Sequence, residues 1–325
     1  MPAGTVRDVR ERLAGLFSVA TLLMTGMAVC GCSTHDQSAA ATTPTQVHAA
    51  VTPSNSPSAS PSPAVPHKPK RLDRQRLTKA IDAYLAERAS VVTVEMVDRT
   101  TGASFRYHPG GQYVTASAVK VDILMTLLLQ RQRKHRGLTS AERSDASVMI
   151  RMSDNHAADR LYVKVGGASG VAAANRAFRL TSTRPVDGKC KDLLCWSLTQ
   201  TTAKDQRRLL EVLLGPKSAL NAKNRAYVLG LMGKVVKEES WGISAAARKG
   251  DKVALKNGWM TLQRDAEHWV IDSIGRVQGH GHDFLITVLT WHNPTDGYGI
   301  TTIQHVVELA AKEFRKTTPW LEKIE

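Results

Sequence analysis

The chain has 325 residues, 42% of them apolar, and carries 44 basic against 29 acidic side chains for a formal charge of +15. That is enough apolar chain for a domain with its own core, and the length admits either two domains or one of about 250 residues beside extra segments. A positive field attracts anions of any kind, but the bases are scattered rather than gathered into one stripe, which argues against nucleic acid as the partner.

The first dozen residues hold Arg7, Arg10 and Arg12, and a charge-free run rich in Leu, Val, Ala and Met follows over residues 13–32. This is a signal-peptide pattern, although about twenty uncharged residues also approach the length of a bilayer span. The run closes on Val29-Cys30-Gly31-Cys32, which resembles the lipobox of bacterial lipoproteins, where small residues precede a cysteine that becomes the lipidated first residue. The resemblance implies a signal peptide over residues 1–31, a lipid anchor on Cys32, and a protein held at the outer face of the cytoplasmic membrane. Cys30 then leaves with the signal peptide. Export removes the chain from nucleic acid and leaves wall polymers, anionic lipid head groups and carboxylate-bearing substrates as the available anions. Residues 32–70 are Ser, Thr, Ala and Pro with hardly a large apolar side chain, too little to bury for folding, and read as an extended tether.

Folded sequence, residues 71–325, opens with Leu77, Ile81, Tyr84 and Leu85 at helical spacing, which predicts a helix over 72–88. A β-branched run over 91–97, turn chemistry over 98–102 and a short return over 103–107 predict a hairpin. Val119, Ile123, Leu124, Leu127 and Leu128 predict a long buried helix over 117–132. Further helices are expected up to about residue 239, including 155–165, 168–180 and 202–214. Strands follow near 253–259, 268–277 and 284–291, then a last helix over 300–314. Strands at both ends with helices between them define an α+β domain, with one antiparallel sheet built from the two ends of the folded sequence and a helical subdomain between.

Cys190 and Cys195 are the cysteines left in the exported domain. Thiols oxidise outside the cytoplasm, so the spacing predicts a small local disulfide if the Cα atoms come within about 7 Å. A metal site is the rival reading, but it needs about four ligands, and no histidine lies between His156 and His268. No metal and no cofactor are expected.

Three short motifs carry chemistry. In Ser117-Ala118-Val119-Lys120 a serine opens an apolar helix with a lysine three residues later on the same face. A hydroxyl is a weak nucleophile until its proton is taken, and a lysine partly stripped of water can take it. Met152-Ser153-Asp154-Asn155 precedes a helix and serves equally as capping sequence. Lys256-Asn257-Gly258 ends a β-branched run and alone reads as a turn.

Together, in this order and at these intervals, the three resemble the S-x-x-K, S-D-N and K-T-G set of penicillin-binding proteins and class A β-lactamases. The flanks Tyr113-Val114-Thr115-Ala116 and Asn155-His156-Ala157-Ala158-Asp159 agree with it. The likeness covers about residues 72–315. It implies that Ser117 is the acylated nucleophile and Lys120 its proton acceptor or relay, and that Ser153 passes a proton to the leaving nitrogen. It also implies that Asn155 holds the substrate amide and that Lys256 faces a substrate carboxylate or Ser153. The Gly258 region would form the sheet edge for substrate, and the backbone amides of Ser117 and Trp259 the oxyanion hole.

The pattern departs in three places. The loop over 181–200, where class A β-lactamases keep a glutamate that activates the deacylating water, holds only Asp187 and Asp192 as acids and is rebuilt around Lys191 and the two cysteines. Asn257 stands where Thr or Ser is expected, and Trp259 puts a large ring beside the cleft. His268 on the next strand is a candidate for the same cleft and for binding a carboxylate. Three readings follow: a hydrolase of β-lactams with slow deacylation; a carboxypeptidase-like or penicillin-binding protein acting on wall peptides; and a non-catalytic, wall-binding lipoprotein. Each works as a monomer with a small substrate or wall polymer for partner.

Overall fold

The computed structural model describes residues 70–318. The signal peptide, Cys32 and nearly all of the tether lie outside the described residues. In chain order the elements are α1 (Arg74–Leu85), β1 (Val91–Asp98), β2 (Ser104–Tyr107), β3 (Tyr113–Val114), a 3-10 turn (Ala116–Ala118) and α2 (Val119–Arg133). Then come α3 (Ser140–Arg151), α4 (Asn155–Val165), α5 (Gly167–Phe178), β4 (Lys189–Cys190), β5 (Leu193–Leu194), β6 (Gln200–Thr201), α6 (Ala203–Leu214) and α7 (Ala222–Met232). A 3-10 turn (Lys237–Glu239), the strands β7 (Lys252–Leu262), β8 (His268–Gly279) and β9 (His282–Asn293), and α8 (Asp296–Phe314) complete the domain.

The main sheet runs β2-β1-β9-β8-β7, and every neighbouring pair is antiparallel. Its first two strands come from the start of the folded sequence and the other three from its end, so the fold is α+β as expected. One apolar core joins Val92, Val94 and Ile286 of the sheet to Leu77 and Ile81 of α1 and to Ile303, Val307 and Phe314 of α8. A second gathers around α2, whose Ile123, Leu124 and Leu127 are buried among residues of α3 to α7. A helix buried all round is mostly apolar, and the run from Val119 to Leu129 is so, with Lys120, Asp122 and Thr126 as its buried polar members.

Helix ends account for most differences from the expected boundaries. The expected helix start at residue 117 is a 3-10 turn, and α2 proper begins at Val119. The last helix starts earlier than expected because Thr295 caps it, its hydroxyl accepting from Tyr298 N at 3.1 Å. Asp154 caps α4 in the same way, accepting from Ala157 N at 2.6 Å, so the second motif does serve as a helix cap.

Candidate active site

The site forms where the 3-10 turn before α2, the start of α4 and the strand β7 meet. Lys120, at 0% exposure, donates from Nζ to Ser117 Oγ at 2.9 Å, to Ser153 O at 2.6 Å and to Asn155 Oδ1 at 2.7 Å, with Ser153 Oγ at 3.2 Å. From β7, Lys256 Nζ donates to Ser153 Oγ at 2.9 Å and to Asn257 O at 2.7 Å. Ser153 Oγ therefore lies between two buried lysines. All three motifs meet within hydrogen-bond reach, although they are spread over 142 positions of sequence, from Ser117 to Gly258.

Backbone geometry makes this possible at two special points. Ala116 and Ser153 adopt positive φ, 42° and 56°, a region that costs a side-chain-bearing residue energy and persists where surrounding packing enforces it. Gly258 lies against the nucleophile's own backbone: a Cβ there would fall 2.7 Å from Thr115 O, 2.8 Å from Ala118 N and 2.9 Å from Ser117 N. Only glycine lets β7 approach the serine this closely.

Burial takes water from both ammonium groups. Lys120 is held well below the ordinary lysine range, first by burial and then by the charge of Lys256. Lys256 is lowered to about 8 by burial, with Glu239 acting in the opposite sense. Both shifts favour the neutral amine, the form that can accept a proton.

In the loop over 181–200 it is Trp196 that reaches the site. Its ring lies 4.8 Å from Lys120 Nζ, and its indole N–H donates to Asp159 Oδ1 at 2.6 Å, which also accepts from Leu194 N at 3.1 Å. Asp187 is turned away to accept from Ala168 N at 2.7 Å, and Asp192 is exposed. Cys190 and Cys195 are joined in a disulfide with a Cα separation of 5.1 Å, closing the β4–β5 hairpin.

Two residues expected at the ligand have protein partners in the structure. Asn257 Nδ2 donates to Glu239 O at 2.8 Å and to Trp241 O at 3.1 Å, and Oδ1 accepts from Ser273 Oγ at 2.7 Å. Alternation along β7 sends residue 257 to the face opposite Lys256. His268 is engaged elsewhere, with Nδ1 2.6 Å from Asp265 O and its ring 4.1 Å from that of His292. Asp265, His268 and His292 bring ligand-type atoms within 4.8 Å of one another, a grouping that the sequence reading missed. Trp259 remains near the lysine, 5.7 Å from Lys256 Nζ, and meets Trp241 edge-on at 6.0 Å. Glu239 also escaped the sequence reading, because a Lys-Glu-Glu run looks like a solvated turn. Burial raises its carboxyl, while Lys256 and Lys120 pull it back down.

Solved structures of β-lactamases and of a penicillin-binding protein share this fold. The extended-spectrum β-lactamase TLA-1 superposes with a TM-score of 0.66 at 15% identity, over 74% of this chain and 99% of that one. The penicillin-binding protein PBP-A gives 0.64 at 18% identity, over 74% and 96%. A model of the β-lactamase enzyme family matches residues 143–314, and the chain belongs to that family. Among curated proteins, the Mycobacterium tuberculosis protein named "Putative lipoprotein LppW" is 28% identical over 220 residues, and the match covers 65% of each chain, short of two thirds of that relative.

Proposed function

We propose that this domain is a serine acyl-transfer enzyme that forms a covalent acyl-enzyme on Ser117 with β-lactams and deacylates slowly. The observation that carries the reading is the Lys120 contact to Ser117 Oγ at 2.9 Å within a buried network shared with Ser153 and Lys256. Ser117 Oγ attacks the carbonyl carbon and gives its proton to Lys120 as the O–C bond forms. The amides of Ser117 and Trp259 receive the oxyanion. On collapse the C–N bond breaks, and Ser153, between the two lysines, passes a proton to the leaving nitrogen. Asn155 fixes Lys120 and meets the substrate amide. Absence of a carboxylate near Lys120 from the 181–200 loop supports slow release and favours, as a second reading, a penicillin-binding protein acting on wall peptides.

The test is to mix the soluble domain with a chromogenic cephalosporin and follow colour and intact mass together. A lasting adduct with little turnover supports the proposal. Fast steady colour without an adduct contradicts it, and neither signal leaves only a binding role.

The rate of acylation should fall as pH rises through about 8, because Lys256 loses there the charge that polarises Ser153. A second-order acylation rate that stays flat over roughly pH 7 to 10 would contradict this assignment of Lys256.

The lipobox-like sequence ending at Cys32, with a lipoprotein name on a relative, supports export and anchoring to the outer face of the cytoplasmic membrane. Cys32→Ala should move the protein from the membrane fraction to the soluble one. Unchanged fractionation would refute the anchor.

A further inference from the structure

Beyond the end of β7 the chain makes a 3-10 turn, Gln263–Asp265, and enters β8 at His268. Near the end of β9 the pairing with β8 shifts: between the pairs Trp269–Asn293 and Ile271–Thr290, Val270 faces both Trp291 and His292. A bulge of this kind re-aims a side chain, and His292 holds φ 60° there. Three segments thus bring one acid and two imidazoles together. His292 Nδ1 is 2.7 Å from Asp265 Oδ1, and His268 Nδ1 is 2.6 Å from the Asp265 carbonyl oxygen and 3.8 Å from Oδ1. The two rings lie 4.1 Å apart, and one ligand-type atom of each residue falls within 4.8 Å of the other two.

The grouping has capacity left for a ligand. The Asp265 side chain is 12% exposed, and its Oδ2 is buried with no hydrogen-bond partner, whereas a buried carboxylate oxygen normally has one, an ion included. A carbonyl oxygen only accepts, so His268 Nδ1 carries the proton and the neutral ring keeps a lone pair on Nε2. A backbone carbonyl commonly orients metal-binding imidazoles in this way. His268 and His292 are 28% and 40% exposed at their side chains, which opens the group to ions from solvent. A cavity of about 220 Å³, shared by Asp265 with Gln112, Tyr113 and Trp291, lies against it and has room for water.

We infer that Asp265, His268 and His292 bind a divalent transition-metal ion, with water in the fourth position. Two imidazoles and a carboxylate suit Zn²⁺. Around a tetrahedral ion with bonds of about 2.0–2.2 Å, ligand atoms stand roughly 3.3–3.6 Å apart, so the three residues close on it by side-chain rotation. The ion takes the place of the His292 Nδ1 proton, which goes to solvent. Mg²⁺ and Ca²⁺ prefer oxygen ligands and should bind weakly. Leu262 pairs with His268, and Trp259 with Ile271, so the group lies three residues, or about 10 Å, along the sheet from Trp259. It is separate from the serine and lysine machinery, and the inference stands or falls independently of the acyl-enzyme reading.

The experiment uses the full chain, without an affinity tag, stripped with EDTA and moved into chelator-free buffer. It is titrated with Zn²⁺ in a calorimeter and with Co²⁺ in a spectrophotometer. One Zn²⁺ should bind per chain and raise Tm, Mg²⁺ should give no heat at the same concentration, and Co²⁺ should show the intense visible bands of a four-coordinate ion. Loss of a group that merely orients a metal ligand weakens binding about 10- to 100-fold. His268→Ala and His292→Ala delete ligands and should each weaken Zn²⁺ by at least about tenfold and remove the Co²⁺ bands. His135→Ala, at an exposed histidine elsewhere, should change neither. No stoichiometric Zn²⁺ binding, only the weak bands of six-coordinate Co²⁺, or wild-type affinity in folded His268→Ala and His292→Ala proteins overturns the inference. If a variant does not fold, the Zn²⁺ stoichiometry and Co²⁺ spectrum of the wild-type chain decide.

Discussion

Wild-type protein incubated with benzylpenicillin is expected to gain the mass of the intact antibiotic and to keep it long after excess reagent is removed, while Ser117→Ala gains nothing. Acylation needs a nucleophile, a proton acceptor and a place for the oxyanion, and Ser117, the buried Lys120 and two backbone amides can supply them. Release needs a base aimed at a water on the other side of the ester. The loop offers the ring of Trp196 near Lys120 instead, with Asp187 capping a helix and Asp192 in solvent. Loss of one general base slows a step by about 10² to 10⁴, so the adduct should accumulate. Lys120→Ala should slow adduct formation by a similar factor, and Asp187→Ala and Asp192→Ala should leave its lifetime unchanged. A large change in either aspartate variant would reveal the base that this geometry does not show.

Gly258→Ala should lose acylation by about 10² to 10³, the usual cost of spoiling an oxyanion site, while the domain still unfolds cooperatively. All three atoms that the new Cβ would meet within 2.9 Å belong to the backbone of Thr115, Ser117 and Ala118, which cannot swing aside as a flexible side chain can. Either β7 moves out or the nucleophile's amide turns away, and both separate the serine from the strand edge. Acylation rates measured beside a thermal unfolding curve decide the matter. A Gly258→Ala protein with a wild-type melt and wild-type acylation would show that the close approach has no part in the chemistry.

Much of the fold and part of the site can be read along the chain, because they depend on local periodicity and on residue types that are chemically hard to replace. The β-branched runs that became β1, β7, β8 and β9, the apolar positions of α2 and the cap ahead of α4 report their own neighbourhoods. Ser117, Lys120, Ser153 and Lys256 stand out because a serine with a lysine one turn away, repeated in order with two partner motifs, forms a recognisable set. Local sequence does not encode what packs against it from a distance. Asn257 sits beside a predicted ligand, yet strand alternation and the 239–241 turn take its amide away from the cleft. His268 is at the right end of the sequence, but a turn gives it Asp265 and His292 as partners. Nothing along the chain marks Trp196, whose ring lies 4.8 Å from Lys120 Nζ, or Glu239, whose carbonyl accepts from Asn257 Nδ2. Residue types and their order determined the machinery of this protein. Tertiary packing alone decided its electrostatic setting, since burial and counter-ions arise between segments that are remote in sequence.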